Sequence, residues 1–294
     1  MAIPAIKPYE MPKASDLQKN KVSWKVDPNR SVLLIHDMQQ YFLNAYTSGE
    51  SPVVELIDNI KRIKEQCREL GIPVLYSAQP GNQKPEDRAL LQDFWGSGLI
   101  DDPAETRIIR DIEPSENDTV LTKWRYSAFK RTNLKEFMQE EGRDQLIICG
   151  IYAHIGCLLT ACEAFMEDIQ TFFVYDAVAD FSLDEHKMAI KYAAERCAST
   201  ISASMLIKDL KDGKPSSKKE ALTLQSIREQ VAEILGEVES DIDDDENLID
   251  RGLDSIRIMS LAEKWRSIKD DVNFVKLAKE PTVSAWWNLL SSSK

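Results

Sequence analysis

The chain has 294 residues, 43% of them hydrophobic and 29% charged, with a formal net charge of −12. That composition suits one large folded unit, or a large and a small one, and excludes a collagen-like or wholly disordered chain. No apolar run nears the roughly 18–20 residues that cross a bilayer, so no membrane role is expected. So acidic a surface is also a poor match for nucleic acid.

The five cysteines, Cys67, Cys149, Cys157, Cys162 and Cys197, include no CxxC pair. Free thiols in a reducing cytoplasm fit best, and no metal site is expected. The start, MAIPAIKPYEMPKASD, holds neither an apolar signal core nor an Arg-rich amphipathic pattern, so no targeting segment is expected.

After a Pro-, Lys- and Ser-rich arm, SVLLIH (31–36) is a continuous apolar run that predicts a buried strand. A helix is predicted from Pro52 to Gly71, then a strand at 72–78 and another at 119–124. LKEFMQEEG (134–142) predicts a helix, QLIICG (145–150) a strand and 156–168 a helix. A fifth strand at 171–178 and a helix at 184–199 complete the run. Strands alternating with helices predict right-handed crossovers and a parallel α/β sheet covered on both faces, a three-layer unit.

The stretch IKDLKDGKPSSKKEA (207–221) has linker composition: Gly, Pro, two Ser and many Lys. The expected division is a domain over 1–207 with its N-terminal arm, a linker over 208–219, and a small helical domain over 220–294. In that last part 224–236 and 255–265 are amphipathic, and Pro281 suits the first position of a final helix. Together they predict a small four-helix unit.

Parallel sheets bind ligands beyond the carboxyl ends of their strands. The residues at or just past the end of each predicted strand are Asp37, Gln79, Lys123 with Trp124, Arg125 and Tyr126, and Tyr152 through Gly156. An acid, a lysine and a glycine at a helix start thus converge from three strands. Taken singly, each fits a turn, a solvated end or a packing glycine.

LLIHDMQQYF, the AQP around Gln79, LTKWRYSAF and GIYAHIGCLLTA resemble the isochorismatase branch of the cysteine-hydrolase-like superfamily, over about residues 15–207. That superfamily sets an Asp, a Lys and a nucleophilic Cys at three points, and isochorismatases have Gly in place of the Cys. The match here is Asp37, Lys123 and Gly156. Cys157 lies one residue further, about 100° around a helix, and is expected in the core. A thiol amidase using Cys157 is the alternative enzyme reading. His36, His154 and His186 are expected in structural hydrogen bonds.

The resemblance implies hydrolysis of the vinyl ether of isochorismate, giving 2,3-dihydro-2,3-dihydroxybenzoate and pyruvate. Such a reaction needs a positioned acid and no covalent intermediate. Asp37 is the expected acid, left protonated once a dianionic substrate has excluded water. The resemblance also makes Arg88 a carboxylate-binding arginine and Gln79, Trp95 and Tyr152 substrate contacts. Phe42 is expected to line the pocket, and N–H groups near Gly156 to present a helix-dipole end.

In the small unit, a helix, the acidic loop ESDIDDDEN and GLDSI before a second helix resemble a thiolation (carrier) domain over about 219–292. That implies a 4′-phosphopantetheine arm on Ser255. Ile258 and Met259 are candidates either for an apolar partner patch or for the core, and Trp286 and Trp287 for the bundle core. The order of the two units, and the tail FVKLAKEPTVSAWWNLL, resemble the bifunctional proteins of catecholate siderophore assembly. The partners so implied are a phosphopantetheinyl transferase, a 2,3-dihydroxybenzoate adenylating ligase and the condensation domain of a peptide synthetase. A homodimer through the α/β unit is implied too. A carrier attached to a non-catalytic dimerisation domain is the non-enzymatic alternative.

Overall fold

The computed structural model describes residues 3–213, 223–266 and 272–291. The chain divides into two compact units, residues 1–214 and 215–294.

In the first unit the sheet begins with β1 (Ser31–His36), every residue of which is buried. It continues through α1 (Val53–Glu69), β2 (Val74–Ala78), β3 (Thr119–Thr122), α2 (Leu134–Glu140) and β4 (Gln145–Ile151). A π-turn (Ala153–Cys157) leads into α3 (Leu158–Met166), then β5 (Gln170–Ala179), α4 (Leu183–Arg196), β6 (Ser199–Ile201) and α5 (Ala203–Asp212). The six strands are parallel, in the order β3-β2-β1-β4-β5-β6. Alternation along β1 sends Leu33 and Ile35 to one face with Leu56 and Ile60 of α1 and Leu206 of α5. Val32 and Leu34 go to the other, with Met138, Ala161 and Ala189 of α2, α3 and α4. The chain therefore folds into the expected three layers. Strand order reverses between β1 and β4, which opens a crevice at their carboxyl ends.

The 208–219 linker needs correction at its start. Residues 208–212 finish α5, whose Ser202 side chain accepts the Met205 amide at 3.1 Å as N-cap. Leu206 and Leu210, one turn apart, are buried and hold the helix to the core, while its lysine-rich face made it read as linker. Residues 214–219 of that segment lie outside the described residues.

The sixth strand, too short to show a pattern, is not among the predicted strands, and the helix expected over 184–199 ends at Arg196. Asn20 of the N-terminal arm covers this edge: it donates to the Thr200 carbonyl at 2.8 Å and accepts the Thr200 amide at 2.9 Å. The arm itself runs along the unit, with the Ile6 amide on the Ala45 carbonyl and the Tyr9 amide on that of Ser51.

The second unit packs α6 (Leu224–Leu235), α7 (Ser255–Arg266), α8 (Phe274–Lys279) and α9 (Val283–Ser291) around Ile227, Val231, Leu261, Trp265, Leu277 and Trp286. The two buried indoles meet edge to face with centroids 5.4 Å apart. Each indole N–H finds an acceptor, Trp265 on Gln230 and Trp286 on the Leu277 carbonyl. Trp287 packs partly buried against the same cluster.

One expectation fails here: Pro281 lies outside the last helix, which starts at Val283 with the Thr282 hydroxyl accepting the Ala285 amide. Of the two patch candidates, Ile258 belongs to the core, the other place open to it, and Met259, 56% exposed, is the outward residue of that pair.

Candidate active site

Asp37 follows β1 directly, and its backbone takes the left-handed conformation, φ 48°. Such a conformation is uncommon for a residue other than glycine and is kept only where the surroundings demand it. The Asp37 amide donates to the Ser77 carbonyl at 3.1 Å, an anchor that the neighbouring β2 supplies.

The Asp37 side chain is 7% exposed. It accepts hydrogen bonds from Ser77 Oγ at 2.6 Å, from Lys123 Nζ at 2.9 Å and from Gln79 Nε2 at 3.2 Å. Burial alone would raise its pKa; the Lys123 charge and the Ser77 hydrogen bond outweigh burial and hold the carboxyl below its ordinary range. Lys123 is equally enclosed and also donates to the Arg125 carbonyl at 2.7 Å. A buried acid–lysine pair, 2.9 Å apart, therefore lies at the switch point of the sheet.

Asp37, Phe42, Gln79, Arg88, Trp95, Lys123, Tyr152 and Gly156 all line one cleft. Arg88 is 4% exposed, and its Nε donates to the Gly96 carbonyl at 2.6 Å. Its Nη1 is buried without a hydrogen-bond partner among the described residues. Gly98 makes room for it, since a β-carbon there would meet the guanidinium carbon at 2.6 Å. A buried cationic N–H left open on a cleft wall is chemistry for an anion. Trp95 Nε1 donates to the Tyr126 hydroxyl at 2.8 Å, which frees the phenolic proton to donate elsewhere. The Tyr152 hydroxyl donates to the Phe42 carbonyl at 3.3 Å, and the two rings meet edge on.

Tyr41, Arg125, Tyr126 and Ile3 also line the cleft. Arg125 and Tyr126 were legible as strand-end residues. Ile3 was not: it comes from the arm, which has no periodicity to place it. Ser77 was missed as well. Only the parallel register that pairs it with His36 brings it beside Asp37.

Cys157 is fully buried away from the cleft lining, and burial pushes its thiol well above the ordinary value. It is not a reactive thiol. Among the described residues, one group could offer metal ligands: His154, Asp180 and Glu185. Its central carboxylate is already engaged, with the His154 amide on one oxygen and His154 Nδ1 and the Phe181 amide on the other. Asp180 thereby clamps the turn after β4.

His36 and His186 are buried, and desolvation pushes both down to about 4. In the unfolded chain both regain an ordinary value of 6.5. Below that pH the unfolded chain takes up protons that the fold refuses, so stability is lost as pH falls from 6.5 toward 4. A complete mismatch is worth about 3 kcal/mol per histidine. His154 does not offset this. Burial would lower it, but the Asp180 carboxylate raises it, and the stability so gained is already full below the unfolded value. The melting temperature of the α/β unit should therefore drop steadily between about pH 6.5 and 4.5, as circular dichroism would report. A flat profile across that interval would contradict this account.

The Ser255 hydroxyl lies at the start of α7, on an exposed residue. The helix cap is made by its neighbour: Asp254 Oδ1 accepts the Arg257 amide at 2.9 Å. Ser255 is thus not needed as the cap, and its oxygen is open to a modifying enzyme at the positive end of a helix.

Residues 31–205 match the isochorismatase domain, and residues 225–288 match the phosphopantetheine attachment site. The chain is 60% identical to the isochorismatase of Bacillus subtilis (strain 168) over 300 residues, covering 99% of this chain and 96% of that one. It is 47% identical to enterobactin synthase component B of Escherichia coli (strain K12) over 291 residues, 99% of each chain. Among solved structures, a cysteine hydrolase from Pseudomonas syringae pv. phaseolicola superposes with a TM-score of 0.61 at 18% identity. That superposition covers 67% of this chain and all of the other, and shows a shared fold.

Proposed function

The chain belongs to the isochorismatase family, and on that premise we propose that its α/β unit hydrolyses isochorismate while its helical unit carries 2,3-dihydroxybenzoate. The observation that carries the first half is the Asp37–Lys123 pair, enclosed at 2.9 Å in a cleft that no cysteine lines among the described residues.

The substrate brings two carboxylates and an enol ether. Arg88 takes one carboxylate through its open guanidinium edge, and the Tyr126 hydroxyl donates beside it. Entry of the dianion displaces water and adds negative charge near Asp37, which lifts its pKa and draws a proton onto it. Asp37 then delivers that proton to the terminal methylene carbon. The resulting oxocarbenium ion is captured by water, whose released proton restores the Asp37 acid, and the hemiketal collapses to pyruvate and 2,3-dihydro-2,3-dihydroxybenzoate. Lys123 and Ser77 stabilise the carboxylate that Asp37 becomes as the proton leaves. Release of pyruvate from isochorismate by the intact chain is the direct test; no release would refute the reading.

The phosphopantetheine arm supplies a thiol at the end of a long tether, on which an aryl acid travels as a thioester. Ser255 is the residue that would hold it. A phosphopantetheinyl transferase would install the arm, an adenylating ligase would load it, and a peptide-synthetase condensation domain would unload it. The same reading places the protein in the cytoplasm as a homodimer through its α/β unit. Among the described residues, no helix is long and apolar enough to cross a membrane.

Arg88→Ala tests the anion site. It removes a charge-assisted contact made in ground and transition states alike, so KM should rise by about 10- to 100-fold with kcat much less affected. Arg88→Lys should recover only part, because an ammonium lacks the fork. Steady-state kinetics of pyruvate release decides. An unchanged KM would place the substrate carboxylate elsewhere.

A further inference from the structure

The turn after β4 brings Gly156 to the cleft lining, and no side chain fits there. A β-carbon on Gly156 would lie 2.1 Å from Cε1 of His36, 2.8 Å from Nδ1 and 2.9 Å from Nε2. Real β-carbons do not come within 3.0 Å of another heavy atom. The ring has little freedom to retreat. It is fully buried, and Nδ1 lies 2.9 Å from the Ile151 carbonyl. A carbonyl only accepts, so Nδ1 carries the proton and the ring is held by that bond. The same nitrogen lies 3.7 Å from Asp37 Oδ1, so the imidazole is close to both residue 156 and the acid.

We propose that His36 sets the reaction class of this cleft: its imidazole occupies the volume that a side chain at position 156 requires, and so bars a thiol nucleophile from the Asp37–Lys123 pair. The proposal rests on reading the cleft as the isochorismate site and adds a specificity-determining residue to it. The fold is shared with a protein named as a cysteine hydrolase, so the scaffold alone does not dictate proton transfer over covalent attack. Cys157, the adjacent thiol, is sealed in the core. With glycine at 156 and an imidazole beside it, the cleft offers substrate a bare main chain there and, among the described residues, no thiol. Enol-ether hydrolysis needs none.

The test uses the full chain with Gly156→Ala and Gly156→Cys, each alone and combined with His36→Ala or His36→Val. Each single change at 156 should lower Tm by about 5 °C or more, the range expected of a forced fit in a core. Adding a His36 variant should return at least half of that loss, a coupling that independent sites do not show. Iodoacetamide, with the modified peptide identified by mass, should label residue 156 about tenfold faster in His36→Val/Gly156→Cys than in Gly156→Cys. If Gly156→Cys alone fails to fold and the double variant folds, the claim is supported. Parent-like stability with rapid labelling in Gly156→Cys would overturn it, and so would strictly additive losses. Neither readout uses isochorismate. Absence of pyruvate release from the parent chain would refute the assigned reaction without touching this steric claim.

Discussion

Asp37→Asn is expected to bind isochorismate and to release pyruvate about 10²- to 10⁴-fold more slowly than the parent chain, the usual span for removing a positioned acid. The substitution keeps the shape of the side chain and its acceptor toward the Ser77 hydroxyl, 2.6 Å away in the parent. What it removes is the proton and the negative charge. Catalytic loss with binding retained is the signature of a group that acts only in the transition state. A second effect accompanies it. Lys123 loses its partner at 2.9 Å while remaining 3% exposed, which leaves a buried charge facing an amide. Breaking a buried ion pair from one side costs about 3–5 kcal/mol, so the variant should also melt several degrees earlier. The kinetic comparison must therefore be made well below its Tm. Single-turnover pyruvate release, with substrate binding measured separately, would distinguish the two losses. Turnover within tenfold of the parent in a folded Asp37→Asn would mean that another group protonates the methylene carbon.

Much of this arrangement is legible in the residues, and the exceptions have physical causes. Asp37 and Lys123 were found because a strand ends where its apolar run ends, and the ends of parallel strands share one edge of the sheet. Arg88 and Trp95 lie between strands, and only the family resemblance pointed to them. Ser77 touches Asp37 through a strand register that no single sequence reveals. His36 looked like the inward end of a strand, which it is; its contact with residue 156, 120 positions away, depends on how β1 meets the turn after β4. The lysines of 207–212 suggested a linker because composition outweighed spacing. The buried pair Leu206 and Leu210, behind the Ser202 cap, is the signal that a helix continues there. Missing β6 follows from its three residues, too few to show an alternation, on an edge held by an arm residue.

Ser255→Ala should abolish loading of the helical unit and leave isochorismate hydrolysis within about twofold of the parent, since a surface change in one compact unit rarely alters a site built in another. The expectation rests on which side chain caps α7. Were Ser255 the cap, its loss would unravel the first turn, and failed loading would report a damaged helix. Asp254 makes that bond to the Arg257 amide, so alanine at 255 removes the acceptor hydroxyl and leaves the turn intact. Alanine is also a better helix former than serine. Incubation with coenzyme A and a phosphopantetheinyl transferase should therefore add one phosphopantetheinyl mass to the parent chain and none to Ser255→Ala, with identical circular dichroism. Asp254→Ala makes the complementary case. It should cost about 1 kcal/mol of helix stability while keeping the hydroxyl, so loading should slow in proportion to fraying and recover on cooling. Full loading of Ser255→Ala would move the arm to another hydroxyl, and Ser260, exposed on the same helix, would be the next to replace. Because both residues belong to the helical unit, a matching fall in pyruvate release would show that the two units act on one another.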